Sequence, residues 1–480
     1  ADLAKLDTAQ LRAITTAAIG GLSTAQITAL TTEQVSNLTD AQVKALNADQ
    51  AKGLAVDDLA KLTTAQVQAL SSGALAALTT TEVASLTTTQ VAALTSKQVN
   101  ALTTVSVAAM STDQVKALSS TQVQGITNAG LNALTTAQVA VLSTSQVSSL
   151  TEAQVAGLST GTLQSLSTTH IAALTDTQVK ALTTAQLEKL STAQFAAITA
   201  SDLVSLNATQ MKALTTAQVS KMTTAQVAAL TKDEVAGFTT AQVRALTTSQ
   251  VAVITSAALA SLTTDQLAGF DTTQVSKLTT EQTQALSAKQ VASLSSSQLN
   301  ALTSTQVQAL NDTQVKALTT GQVNALSTTQ VAALTTAQVA GMESADVAAL
   351  TSTQANAMST SQVAALTAAQ VKSITTDTVA GLGTTQVKAL TSTQLAGLTT
   401  QQVNAMSSTA VAALTTGQVQ ALNVLQIKAL STAAVAGMST DQVKVLSDNQ
   451  VKALTTAAVA ALTTAQVGAL TTAQAAVLSA

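Results

Sequence analysis

An apolar residue returns at every eighth position of this chain, and nothing interrupts the count. Stepping from Leu6 to Leu478 visits 60 positions, and all are Leu, Ile, Met or Phe. A second apolar position, stepped from Leu3 to Ala475, holds Val, Leu, Ile, Met or Phe at 56 of 60. Its exceptions are Ala51, Thr283, Ala355 and Ala475. A fixed short period means one small unit stacked many times, each copy burying the face of its neighbour. With no insertion or deletion in the frame, residues 1–480 read as a single continuous array of about 60 octapeptide repeats, without a separate domain or linker.

The period discriminates among backbone conformations. In one continuous α-helix an octad advances roughly 80° beyond two full turns, so the Leu line would wind around the helix instead of forming a stripe. In a flat strand the alternating spacings of five and three put Leu and Val on opposite faces. A β-solenoid with a turn in every octad is the alternative, but its corners would call for Gly, Asn or Pro. The chain has no Pro and 18 Gly.

A short helix in each octad agrees with the local chemistry. The residue after each Leu, from Asp7 to Ser479, is Ser, Thr, Asp or Asn at 57 of 60 positions, with Ala55, Glu343 and Gly383 departing. These four residues are the favoured N-caps. Three residues later stands Gln in 43 of 60 octads, with Glu82 and Glu234 as equivalents, which completes a capping box such as Thr63-Thr64-Ala65-Gln66. The Leu before the cap and the Val four residues after it hold the positions of a hydrophobic staple. Charges follow the helix dipole: Glu33, Asp40, Asp49 and Asp113 fall early in their octads, Lys44, Lys52, Lys116 and Lys444 late. Asp113 with Lys116 and Asp441 with Lys444 have helical i,i+3 spacing.

Helices this short cannot stand alone, because nucleation is costly and few bonds repay it. The expected fold is therefore all-α: a solenoid or superhelix of consecutive short helices, one per octad, wound around an axis lined by Leu and Val. Three octads per turn and about 10 Å per layer would make a rod of roughly 200 Å. The residue before Leu is mostly Ala, Gly or Ser, as a close contact demands, while Lys5, Lys61, Lys189, Lys221 and Lys277 place it at an edge. Neither end resembles a polar capping unit, so the chain reads as a window from a longer array or a subunit continuing into neighbours. It begins at Ala1 without Met or a signal peptide, which points to processing or truncation.

Composition removes most chemistry. There is no Cys, Trp or Tyr, only 3 Phe and 1 His, and 9% of residues are charged. We therefore expect no enzyme and assign no catalytic, cofactor-binding or metal-binding residues. A net charge of −3 gives no basic surface for nucleic acid, and Thr, Ser or Gln interrupts every apolar stretch, so no membrane span is expected. His170 replaces a Gln and reads as an ordinary polar helix substitution. Asp57-Asp58 reads as a solvated first turn, and Gly20-Gly21 as a local loosening. Phe195, Phe238 and Phe270 occupy apolar positions and read as core fillers. Most octads carry two adjacent hydroxyl residues: the first caps the helix, the second is tolerated at the first helical position, and rows of them could bind ice or carbohydrate.

Octads such as Leu-Thr-Thr-Ala-Gln-Val-Gly-Ala-Leu, Leu462 to Leu470, resemble the Thr/Ala/Gln-rich tracts of very large secreted bacterial surface proteins of the adhesion or haem-utilisation exoprotein kind. That resemblance implies an extracellular or cell-surface location and a role as the shaft of a fibre, filament, sheath or giant adhesin. The low-charge, hydroxyl-rich exterior and uncapped ends lead us to expect self-association, end to end or lateral, with contact to a cell surface or polysaccharide as a further partner. The resemblance carries over no haem site, because one His and no Cys supply no ligand set.

Overall fold

The computed structural model describes residues 3–478, which fall into two compact units divided between Phe238 and Thr239. Both units are made of the same element. After a 3-10 turn at Leu3–Lys5, the described residues form 59 α-helices, from Thr8–Arg12 to Thr472–Leu478, and no strand. One helix per octad is the observed architecture, and the β-solenoid alternative is excluded.

The octad Thr63 to Leu70 shows why each helix starts and stops. Thr63 is extended (φ −69°, ψ 162°), and its Oγ1 accepts from the Gln66 amide at 3.2 Å. Gln66 Oε1 in turn accepts from the Thr63 amide at 2.7 Å, closing the box. The helix Thr64–Ala69 then ends because the Leu70 amide bonds back to Val67 O at 3.2 Å and Leu70 itself is extended (φ −55°, ψ 132°). Leu70 and Ser71, both extended, redirect the chain into the next helix. No described residue has a positive φ, so these corners need neither Gly nor Asn. Ala55, Glu343 and Gly383, the departures at the cap position, start helices without a side-chain cap. Ser479 lies outside the described residues. Gly20 ends the helix Thr16–Gly20 and Gly21 caps it in right-handed geometry, so the pair does not loosen the array.

Within each unit, helices pack on the helix three octads further on. Thr88–Ala93 meets Thr112–Ala117 in the first unit, and Thr336–Gly341 meets Thr360–Ala365 in the second. Three octads, 24 residues, therefore complete a turn. Leu and Val line its interior, as with Val115 and Leu118, and Phe195, Phe238 and Phe270 are buried among them. The cap and the next two residues, such as Thr63, Thr64 and Ala65, face solvent. The position before Leu is half-buried where it is Ala45 or Ala69 and exposed at Lys61, Lys189, Lys221 and Lys277, as an edge requires. Close approach demands Gly at some of these positions: a Cβ on Gly125 would lie 2.6 Å from Ser96 O.

The turns are joined by the box glutamines. Gln114 is 2% exposed, and its Oε1 accepts from the Ser111 amide at 2.7 Å. Its Nε2 donates to Val83 O at 2.9 Å and Leu86 O at 2.6 Å, the end of the helix four octads earlier. Gln362 repeats this in the second unit, reaching Val331 O at 2.9 Å and Leu334 O at 2.6 Å. A single amide thus satisfies the first N–H of one helix and the orphan carbonyls of another. No buried side-chain nitrogen or oxygen among the described residues lacks a partner.

Gln114→Glu keeps the acceptor, removes the donor and points a carboxylate at two carbonyls. We expect it to lower stability by about 1–3 kcal/mol, read as a reduced urea midpoint and faster amide exchange around residues 83–118. Unchanged stability would mean that the box alone matters.

Candidate functional site

Among the described residues, the buried titratable side chains, Asp58, Glu82, His170, Glu234 and Asp346, all stand where something other than Gln holds the box position. His170 is 6% exposed. Its Nδ1 accepts from the Ser167 amide at 3.3 Å, and its Nε2 lies 2.8 Å from Leu142 O. The first partner is a donor and the second an acceptor, which assigns the hydrogen to Nε2. His170 thereby reproduces both ends of the Gln it replaces. It is a polar substitution, as its sequence position predicts, but a buried one with both nitrogens engaged.

Glu82, Glu234 and Asp58 at this position reproduce only the box half. Glu82 Oε2 accepts from the Thr79 amide at 2.6 Å, and Glu234 Oε2 accepts from the Thr231 amide at 2.8 Å and the Thr231 hydroxyl at 2.6 Å. Asp58 Oδ2 accepts from the Ala55 amide at 2.9 Å and is 3% exposed, so only Asp57 of the acidic pair is solvated. The paired-solvation reading is corrected there: Asp58 fills the box position of a helix with no cap side chain.

The hydroxyl pairs also do more than the sequence reading assigned. The first hydroxyl is the cap acceptor throughout. The second, read as merely tolerated, donates to the next turn at several places: Ser96 to Thr121 O at 3.0 Å, Ser120 to Ser145 O at 3.2 Å and Thr240 to Asp265 O at 3.3 Å. Polar residues late in the helix do likewise, as when Asn100 Nδ2 donates to Gly125 O at 2.9 Å. Asp113 with Lys116 and Asp441 with Lys444 share helices, while an ion pair forms between Glu188 and Lys189 at 3.2 Å, both exposed.

The cross-turn Gln bond is what the sequence reading missed, and a signal for it was present. A capping box accepts Glu as readily as Gln, and the helix dipole favours Glu. Gln nevertheless outnumbers Glu at this position by 43 to 2. That bias is the mark of a side chain that must also donate.

Among the described residues no group of three or more His, Cys, Asp or Glu could hold a metal ion, and no helix is long and apolar enough to cross a membrane. A family model described as the ALTTAQ repeat matches segments covering 3–40, 54–192, 195–232, 281–376 and 393–480. The chain belongs to the ALTTAQ repeat family. The match consists of repeats alone and brings no catalytic domain with it. No curated protein matches the chain.

One octad of the ALTTAQ array concentrates uncompensated charge. Met342 to Leu350 has Glu343 where a cap belongs and Asp346 in the box position, and Asp346 is 4% exposed. Burial, then repulsion from Glu343, pushes the Asp346 carboxyl up to about 6, partly offset by a backbone hydrogen bond from Glu343. Because the folded chain holds this proton more tightly than the unfolded one, stability falls as pH rises from about 4 to 6, and the full cost applies above that window. Asp346→Asn should remove this slope and stabilise the protein at pH 7 by up to about 3 kcal/mol. The difference from the parent should vanish near pH 4 when denaturant midpoints are compared across that range.

Proposed function

We propose that this ALTTAQ array is a structural protein, the shaft of an extracellular fibre, filament, sheath or giant adhesin, and not an enzyme. The observation that carries this reading is the way each octad consumes its own chemistry. The cap hydroxyl, the Gln amide and the late carbonyls are committed to holding the chain, and Leu and Val fill its interior. What remains outside is a repeated, low-charge surface of Thr, Ser and Ala. Such a surface suits lateral or end-to-end association of copies, since a contact made at one octad is available at many others. An extracellular location draws on the resemblance to the tracts of secreted bacterial surface proteins.

A second reading has its own support. Thr64, Thr88, Thr112 and Thr136 hold the same octad position one turn apart, as a regular ice- or polysaccharide-binding face would require. Electron microscopy of the purified chain, together with antibody labelling of intact source cells, tests the shaft. Extended or laterally joined particles and surface labelling are expected, whereas compact dispersed particles confined to the cell interior would overturn it. Thermal hysteresis or polysaccharide retention that disappears when the Thr row is changed to Lys would favour the second reading.

A further inference from the structure

In the second unit, residues 343–390 gather several independent departures from the octad within two turns. Ala355 stands where Val331 and Val379 stand one turn before and after. The missing methyls leave a cavity of about 20 Å³, bordered by Leu350, Ala355, Met358, Val363, Thr378 and Leu382. Leu382 is partly exposed, unlike Leu390 and Leu398 beyond it. Thr378 replaces the clamp Gln and makes one bond backwards, to Leu350 O at 2.9 Å, where Gln370 and Gln394 each reach three carbonyls.

The caps fail in the same stretch. Glu343 and Gly383 begin helices with no side-chain cap. The Gly383 amide is taken up by Asn356 Oδ1 at 2.6 Å, from the turn before, and Asn356 Nδ2 also donates to Gly381 O at 2.6 Å. One exposed Asn thus takes the place of the box acceptor, while the cap itself stays missing. The family matches pass over part of this stretch as well, ending at 376 and resuming at 393.

An apolar exception elsewhere shows that a single departure is not enough. Ala51 also replaces Val, but Ile27 and Leu75 are its counterparts one turn away, and its helix Ala48–Ala51 packs on Ser72–Ala77 with Ala51 fully buried. Larger neighbours fill that gap; the valines around Ala355 do not.

We propose that residues 343–390 form a built-in breakpoint, the place where the second unit opens first while the turns on either side stay folded. Stacked repeats are held by nearest-neighbour contacts, so opening is governed by the weakest interface and not by the average one. This holds whether or not the array serves as a shaft.

Hydrogen exchange of the intact chain, followed by mass spectrometry, tests it. Helical amides in 351–390 should exchange about tenfold or more faster than those in 287–334 and 391–406. Ala355→Val combined with Thr378→Gln restores the side chains found one turn away and should slow exchange towards the flanking rate. Gly383→Thr alone, which restores the cap, should slow it in part. Exchange no faster than in the flanks, or fast exchange that both variants leave unchanged, would overturn the proposal.

Discussion

Within each unit, the side-chain amide of the box Gln ties one turn to the turn before it. A helix of five or six residues has more unsatisfied backbone groups at its ends than hydrogen bonds within it. One Gln addresses both ends at once, with Oε1 on the first amide of its own helix and Nε2 on the last carbonyls of a helix four octads back, as in Gln42 on Thr39, Leu11 and Ile14. The rigid planar amide fixes the distance between donor and acceptor, so the spacing of the two helix ends is fixed with it. Burial of Leu and Val drives the stacking, and the Gln bond sets which octad stacks on which.

Much of this fold was legible in the residues. Cap, box and staple recur in one frame, and only a helix in every octad uses all three. Three octads per turn also agreed with the structure, although the period alone does not require it. The Gln bond across turns was hidden because a capping box already accounts for Gln. Its second role shows only in the rejection of Glu, a contrast that appears when the whole column is compared and not when one octad is read. Asp58 was misplaced in burial for the same reason: polarity suggested solvent, while the position is interior, as it is for His170. Asp346 follows that rule too, and its charge is costly because the carboxylate is buried and stands near Glu343.

The thin composition is explained by the geometry. The interior is one Leu and one Val wide per octad, a space that Phe195, Phe238 and Phe270 enter only rarely. Corners made of two extended residues remove any need for glycine or proline. The side chains left over are those that face water, and they are interchangeable among Thr, Ser and Ala along most of the chain. A protein assembled this way concentrates its individuality in its exceptions, and in the second unit those exceptions cluster around Ala355.

The account stands or falls on the three-octad turn. Spin labels placed at exposed residues of the first unit measure it, with Thr89 paired in turn with Val105, Asp113 and Thr121, which lie two, three and four octads away. The Thr89–Asp113 pair should be clearly the shortest, near the roughly 10 Å that separates packed helices before the label arms are added. If the two-octad or four-octad pair is the closest, the three-octad turn is contradicted.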